Sequence, residues 1–184
     1  EDAHLGLLGL LNSSVACFWL KQVCFAKDGQ GQMWDERFAF NASNVWEFPL
    51  PQLRPLSETR TLDNLALEHA SLLPAAIFAS ARENLVELAA LLDAANRRAK
   101  HRRALMIAAQ EELDWACYAL YGLLPAGTTR ESLLHPEPPP VRLGERAFEI
   151  VLARRMATGS EQTTWFERHG STPIAELPSH WPAR

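Results

Sequence analysis

Apolar residues crowd the first stretch of the chain on every side. Between residues 4 and 23, Leu5, Leu7, Leu8, Leu10, Leu11, Val15, Phe18, Trp19 and Leu20 leave no polar stripe, which predicts one helix buried against other elements. The pattern then loosens. Asp28-Gly29-Gln30-Gly31-Gln32 reads as a loop. Arg37-Phe38-Ala39-Phe40-Asn41 alternates as a short strand does, and Val45-Trp46-Glu47-Phe48 predicts a second. Pro49, Pro51 and Pro55 are expected to stop regular structure.

Helical spacing returns over residues 62–73, with Thr61 as N-cap and Pro74 past the end. Ser80 and Glu83 have capping-box spacing, which predicts a new helix from Ala81. Its apolar positions step three and four residues alternately through Leu85, Leu88, Leu92, Ala95 and Ala99, then Met106, Ala109, Leu113, Ala116 and Leu120. Arg102 is the one break. A period of about 3.5 implies a long helix with a coiled-coil-like seam, closed by Gly122 with Pro125 beyond. Its expected length is roughly 60 Å. Such a seam needs a partner: the 62–73 helix, the C-terminal helix or a surface outside the chain.

His135-Pro136-Glu137-Pro138-Pro139-Pro140 reads as a stiff linker. Residues 144–157 predict an amphipathic helix with Phe148, Val151 and Leu152 on its apolar face, Arg154 and Arg155 at its negative end, and Gly159 closing it. A short turn around Trp165 and Phe166 follows. Thr172-Pro173 is expected to open one more helical turn, which Pro178 ends. No internal repeat is visible. The fold class is mainly α: a buried N-terminal helix with a short β/loop segment, a long coiled-coil-like helix and a small C-terminal helical tail. The divisions fall at residues 1–58, 59–126, 127–143 and 144–184.

Composition narrows the function. With 184 residues, 47% hydrophobic and 22% charged, the chain has mass for a core and is not disordered as a whole. Eighteen basic residues against 22 acidic ones give a net −4, so affinity for a polyanion must come from a local patch. Cys17, Cys24 and Cys117 are too few and odd in number for a disulfide framework, which points to a reducing cytoplasm. The opening stretch has no basic leader or cleavage site, and Asn12-Ser13-Ser14 interrupts it before the roughly 20 apolar residues of a membrane span. Glu1 in place of Met suggests a start inside a longer reading frame.

The only concentrated charge is Arg97-Arg98-Ala99-Lys100-His101-Arg102-Arg103, with five formal positive charges. Removing them leaves 13 basic against 22 acidic residues, a net −9. At about 100° per residue these side chains point all round a helix. One reading is a phosphate-contacting waist, since each neutralised phosphate releases counterions. The other is an exposed mid-section paired with acidic neighbours. In the loop and strand region, Lys27, Gln30, Gln32 and Arg37 have the chemistry to read base edges. Alternatively this is a surface hairpin whose Trp34, Phe38 and Phe40 complete the core. Cys17 and Cys24 have no histidine at ligand spacing, and no cysteine has a clear histidine partner for nucleophilic work. Glu111-Glu112-Leu113-Asp114 reads as a solvated face. No P-loop and no glycine-rich cofactor loop after a strand occurs.

Five blocks of sequence carry a resemblance. Leu7-Leu8-Gly9-Leu10-Leu11-Asn12-Ser13-Ser14 followed by Cys17-Phe18-Trp19-Leu20-Lys21-Gln22-Val23, and then Phe48-Pro49-Leu50-Pro51, resemble the target-recognition region of large adenine-specific DNA methyltransferases. Leu113-Asp114-Trp115, Tyr118 and Leu120-Tyr121-Gly122-Leu123 are similar to the helical segment beyond it. The block from Leu143-Gly144-Glu145-Arg146 to Arg154-Arg155 and the block from Trp165-Phe166-Glu167-Arg168 to Thr172-Pro173-Ile174 look like the family's C-terminal part. The likeness is to the phage-exclusion (BREX, phage growth limitation) methyltransferases, themselves similar to fused type II restriction–modification enzymes.

The resemblance implies a parent enzyme that transfers a methyl group from S-adenosylmethionine to the exocyclic amine of adenine in duplex DNA, with the base flipped out of the stack. The family's catalytic tetrapeptide is absent: Pro138-Pro139-Pro140 is preceded by Glu137 and followed by Val141. The implied chain is thus a C-terminal DNA-recognition portion without catalytic, cofactor-binding or metal residues. S-adenosylmethionine would belong to a missing N-terminal methyltransferase domain. The expected DNA contacts are Lys21, Lys27, Gln30, Gln32 and Arg37 for base reading, and Arg97, Arg98, Lys100, Arg102 and Arg103 for phosphates. A competing reading docks the helical seam on a partner subunit of the defence system and touches no DNA. A third is an independent helical scaffold.

Overall fold

Ser13 divides the apolar opening of the chain into two helices, α1 (Asp2–Leu11) and α2 (Ser14–Val23), bent by 65°. The computed structural model describes residues 1–26, 38–80, 85–128, 132, 135 and 138–181. The expected single helix over residues 4–23 is therefore corrected, and a cap is the reason. Ser13 Oγ accepts the Ala16 N–H at 3.2 Å and donates to the Leu10 carbonyl at 2.7 Å, so one hydroxyl closes α1 and opens α2. Helix α1 buries Gly6, Gly9 and Leu10 but leaves Leu7, Leu8 and Leu11 at the surface. No single helix among the described residues is long and apolar enough to cross a membrane.

Strands β1 (Phe25–Ala26) and β2 (Phe38–Ala39) pair antiparallel, with Phe25 opposite Ala39 and Ala26 opposite Phe38. The second strand expected at residues 45–48 is replaced by helix α3 (Ala42–Trp46). Asn41 Oδ1 accepts the Asn44 N–H at 2.8 Å, and that cap outweighs the β-propensity of Val45 and Trp46.

Helix α4 (Leu56–Ala70) starts earlier than the spacing predicts, and Thr61 lies inside it. Pro55 initiates this helix rather than halting structure: its carbonyl accepts from the Thr59 N–H at 3.0 Å and from Thr59 Oγ1 at 2.7 Å. Helix α5 (Pro74–Ser80) carries Pro74 at its first position, where no N–H is needed. Glu83, half of the expected capping box, lies outside the described residues.

Helix α6 (Leu85–Leu120) is 36 residues long, about 54 Å at 1.5 Å per residue. Its seam is covered: Leu88, Leu92, Ala95, Ala99, Met106, Ala109, Leu113, Ala116 and Leu120 are all buried or half-buried. Gly122 (φ +66°) ends it in a Schellman arrangement, with Gly122 N–H on Ala119 O at 3.1 Å and Leu123 N–H on Tyr118 O at 2.9 Å.

Helices α7 (Ala147–Ala157) and α8 (Trp165–His169) complete the chain. The apolar face expected on α7 is rotated. Glu149, Ile150 and Ala153 are buried, whereas Phe148 and Val151 are 45% and 49% exposed. The turn expected after Thr172 does not form. Arg154 Nε donates to the Ala175 carbonyl at 2.7 Å, and the Thr172 carbonyl packs where a Cβ on Gly144 would sit, so outside partners hold the tail extended.

The chain packs as two units, Glu1–Thr59 with Leu113–Leu134, and Arg60–Glu112 with His135–Arg184. The first has Leu10, Ala16, Cys24, Phe48, Leu113 and Cys117 in its core, with Phe48 between Trp19 (5.5 Å, edge-on) and Tyr121 (6.2 Å). The second buries Leu72, Ala95, Ala108, Val141, Ile150 and Phe166.

Candidate nucleic-acid interface

The basic run on α6 lies wholly within the second unit. Arg97, Arg98, Lys100, His101 and Arg103 are exposed, while Arg102 is half-buried. Arg102 is the residue that interrupts the apolar seam, and the structure gives the physical reason it can stand there. Its Nε lies 2.9 Å from Glu68 Oε2 of α4, so the cation turned towards the neighbouring helix has a solvent-exposed carboxylate partner there. Of the five formal charges, Arg102 is thus the one that forms an ion pair within the unit. Among the described residues, Arg97, Arg98, Lys100 and Arg103 form no ion pair and project four permanent charges into solvent.

A groove of about 570 Å³ runs beside this ridge. His69, Leu72, Leu73 and Pro74 form one wall, and Leu92, Asp93, Asn96, Ala99, Lys100 and Arg103 the other. The floor is apolar and the rim of α6 is mixed, with one acid, one amide and two cations. Such a rim can hydrogen-bond and attract a polyanion without a buried charge to desolvate.

The recognition-region candidates are placed differently. Lys21 is half-buried in the first unit with its Nζ 5.8 Å from the centre of the Phe38 ring, a cation–π distance. Lys27, Gln30, Gln32 and Arg37 lie outside the described residues.

The acidic cluster on α6 is not a solvated face, which corrects the reading made from helical spacing. Glu111, Glu112 and Asp114 are half-buried. Asp114 Oδ1 accepts the Ser14 N–H at 2.7 Å, and Glu111 Oε2 accepts the Ala147 N–H at 3.2 Å. Ser14 and Ala147 are the first residues of α2 and α7. Each carboxylate therefore satisfies an orphan donor at a helix N-terminus and meets the positive end of its dipole. Glu112 Oε2 accepts the His135 N–H at 2.8 Å. Tyr118 and Ser14 share a 2.7 Å hydroxyl–hydroxyl bond beside Asp114.

Glu149 has no exposed surface. Burial pushes its pKa up, but the Arg146 guanidinium, the Trp165 indole and the Gly144 N–H outweigh that and hold it below the ordinary carboxylate range. Arg146 binds both of its oxygens, at 2.9 and 2.7 Å. With the Gly144 N–H and the Trp165 indole also bonded to it, Glu149 anchors the start of α7.

Among the described residues, no group of His, Cys, Asp or Glu is arranged to hold a metal ion. No described glycine lies in a turn between a strand and a helix N-terminus.

Comparison with known proteins agrees with the sequence blocks. The chain is 44% identical, over its whole length, to the adenine-specific methyltransferase PglX of Streptomyces coelicolor, and resembles the C-terminal part of that protein. It spans 16% of that relative's length. The family described as a domain of unknown function, DUF7008, matches residues 106–184, from the middle of α6 to the end of the chain. No solved structure matches.

Proposed function

We propose that this PglX-like segment is the DNA-recognition and helical portion of a longer S-adenosylmethionine-dependent adenine-N6 DNA methyltransferase acting in cytoplasmic phage defence of the BREX type. The methyl donor and the reacting adenine belong to a catalytic domain elsewhere in that enzyme. This portion contributes duplex binding. The observation that carries the reading is the row of exposed cations, Arg97, Arg98, Lys100 and Arg103, on a chain that is otherwise acidic. A net-negative protein that concentrates exposed arginines on one rigid helix has the means to hold a phosphate backbone. The similarity of this chain to a part of a protein named an adenine-specific methyltransferase supports the same reading.

A second reading rests on a separate observation. Leu8, Phe18, Trp46 and Leu53 in the first unit are 49%, 68%, 91% and 71% exposed. Apolar exposure on this scale suits a surface covered by protein, either the catalytic domain or another subunit of the defence system. The two readings are compatible, since they use different units.

The test is a salt titration of duplex binding by the full chain. Replacing Arg97, Arg98 and Arg103 by Gln should weaken binding alike for all duplex sequences and lower the slope of log K against log salt by about 2–3. An unchanged slope overturns the DNA reading, and retention of partner subunits on the same variant in a pull-down then favours the docking reading.

A further inference from the structure

On the other flank of Lys100 the second unit contains a cleft of about 520 Å³, lined by Lys100, His101 and Ala104 of α6, Pro140 and Arg142 from the end of the proline-rich segment, and His180 from the tail. Among the described residues of that lining, the polar side chains are all nitrogen bases. The arrangement is built from three stretches distant in sequence. The Val141 N–H donates to the Ala104 carbonyl at 3.1 Å, which fastens the strap carrying Arg142 to the helix carrying Lys100. The Arg142 N–H donates to Glu145 Oε2 at 2.9 Å, and His180 Nε2 lies 3.9 Å from the same oxygen. Glu145 is thus the nearby acid, engaged by the Arg142 backbone and the His180 ring.

Lys100 and Arg142 bring two cations to one cleft whose described lining holds no carboxylate, so both attract an entering anion. Two imidazole N–H groups beside them add donors that suit tetrahedral oxygens. The volume exceeds that of a lone phosphate and accommodates a phosphodiester with its flanking sugar. We infer that this cleft is a seat for one backbone phosphodiester of duplex DNA, continuous through Lys100 with the ridge of Arg97 and Arg103. The inference rests on the DNA-binding reading and extends it to residues outside the basic run, Arg142 and His180, together with His101.

The experiment uses the full chain and a fluorescent duplex, and compares Arg142→Gln plus His180→Gln with Arg97→Gln plus Arg98→Gln. Arg142 and His180 are exposed, so their replacement leaves the core intact, and Arg142→Lys serves as a charge-keeping control. The expected result is a salt slope lowered by about 1 in the Arg142/His180 pair, the loss of one phosphate contact, with Arg142→Lys near wild type. If the Arg97/Arg98 pair lowers the slope while the Arg142/His180 pair does not, the seat is overturned and DNA binding stands. If the unaltered chain does not bind duplex at low salt, both fall. Saturable shifts of the His101 and His180 resonances with inorganic phosphate, at an unchanged duplex slope, would make the cleft a free-anion site and overturn the assignment to the backbone.

Discussion

Trp165 donates its indole N–H to Glu149 Oε1 at 3.1 Å, so the first residue of α8 is fastened to a carboxylate at the base of α7. Arg146 completes the clamp by stacking over Phe148 (4.7 Å) and facing Trp165 (5.7 Å) while it binds the same carboxylate. A buried anion held by five N–H donors of Gly144, Arg146 and Trp165 ties together the short elements of the tail, which are too small to bury much apolar surface on their own.

That clamp has a pH signature. The folded-state pKa of Glu149 lies below the ordinary value of 4.5, so its contribution to stability is present above that value and is lost as pH falls through the folded one. Melting curves followed by circular dichroism should move to lower temperature on acidification below about pH 4.5, and Glu149→Gln should flatten that trend. At neutral pH, Glu149→Gln should cost about 1–2 kcal/mol. Arg146→Met should cost more, about 3 kcal/mol, because it strands the carboxylate. A larger loss from Glu149→Gln than from Arg146→Met would reverse the assignment of the anchor.

The first unit has the opposite trend at high pH. Cys117 has no exposed surface, and burial, aided by the carboxylates of Asp114 and Glu58 against a bond from Ser13, pushes its thiol from 9.0 to about 11. Stability from the neutral thiol is complete below pH 9.0 and is lost as pH rises towards 11. Burial likewise pushes Tyr121 to about 12. Melting temperature should fall across this interval by an amount equivalent to about 2 kcal/mol, and Cys117→Ala should remove the component that begins near pH 9. Thiolate absorbance in the ultraviolet should rise near pH 11 in the folded chain and near pH 9.0 once it is unfolded.

Gly9 tests the packing of α1 on the start of α4. A Cβ at Gly9 would fall on Thr59 Oγ1 and lie 3.1 Å from Thr59 Cβ and 3.3 Å from Pro55 Cγ. That hydroxyl is committed to the Pro55 carbonyl at 2.7 Å and cannot swing away without loss. Gly9→Ala should destabilise the chain by about 2 kcal/mol in urea melts. Thr59→Ala in the same chain should recover part of it, a coupling that a double-mutant cycle measures.

Periodicity reaches far into the long helix: the 3.5-residue step names the residues of α6 that are covered, and Gly122 marks its end. What spacing cannot supply is the partner of each polar group. Arg102 looks like a flaw in the seam until Glu68 is opposite it, and nothing in the local sequence links residues 68 and 102. Glu111 and Asp114 look solvated because helical spacing describes a helix in isolation, whereas the donors they satisfy are 36 and 100 residues away. Caps are hard to weigh for a related reason. Ser13 and Asn41 each compete with a longer-range pattern, and a single side-chain bond decides the local outcome. Of the candidate site, the exposed cations of the basic run are legible as charge. The cleft formed with Arg142 and His180 is not, because it depends on where a proline-rich strap and the tail come to rest.

The strap is pinned at two points. Val141 hangs from the Ala104 carbonyl and Ala147 from the Glu111 carboxylate, seven residues and so about two full turns apart on one side of α6. Inserting or deleting a single codon in α6 between Ala104 and Glu111 would swing one anchor about 100° round the axis relative to the other. Gene variants of this segment are therefore constrained in frame length as well as in residue type, and any tolerated change of length there should come in whole turns.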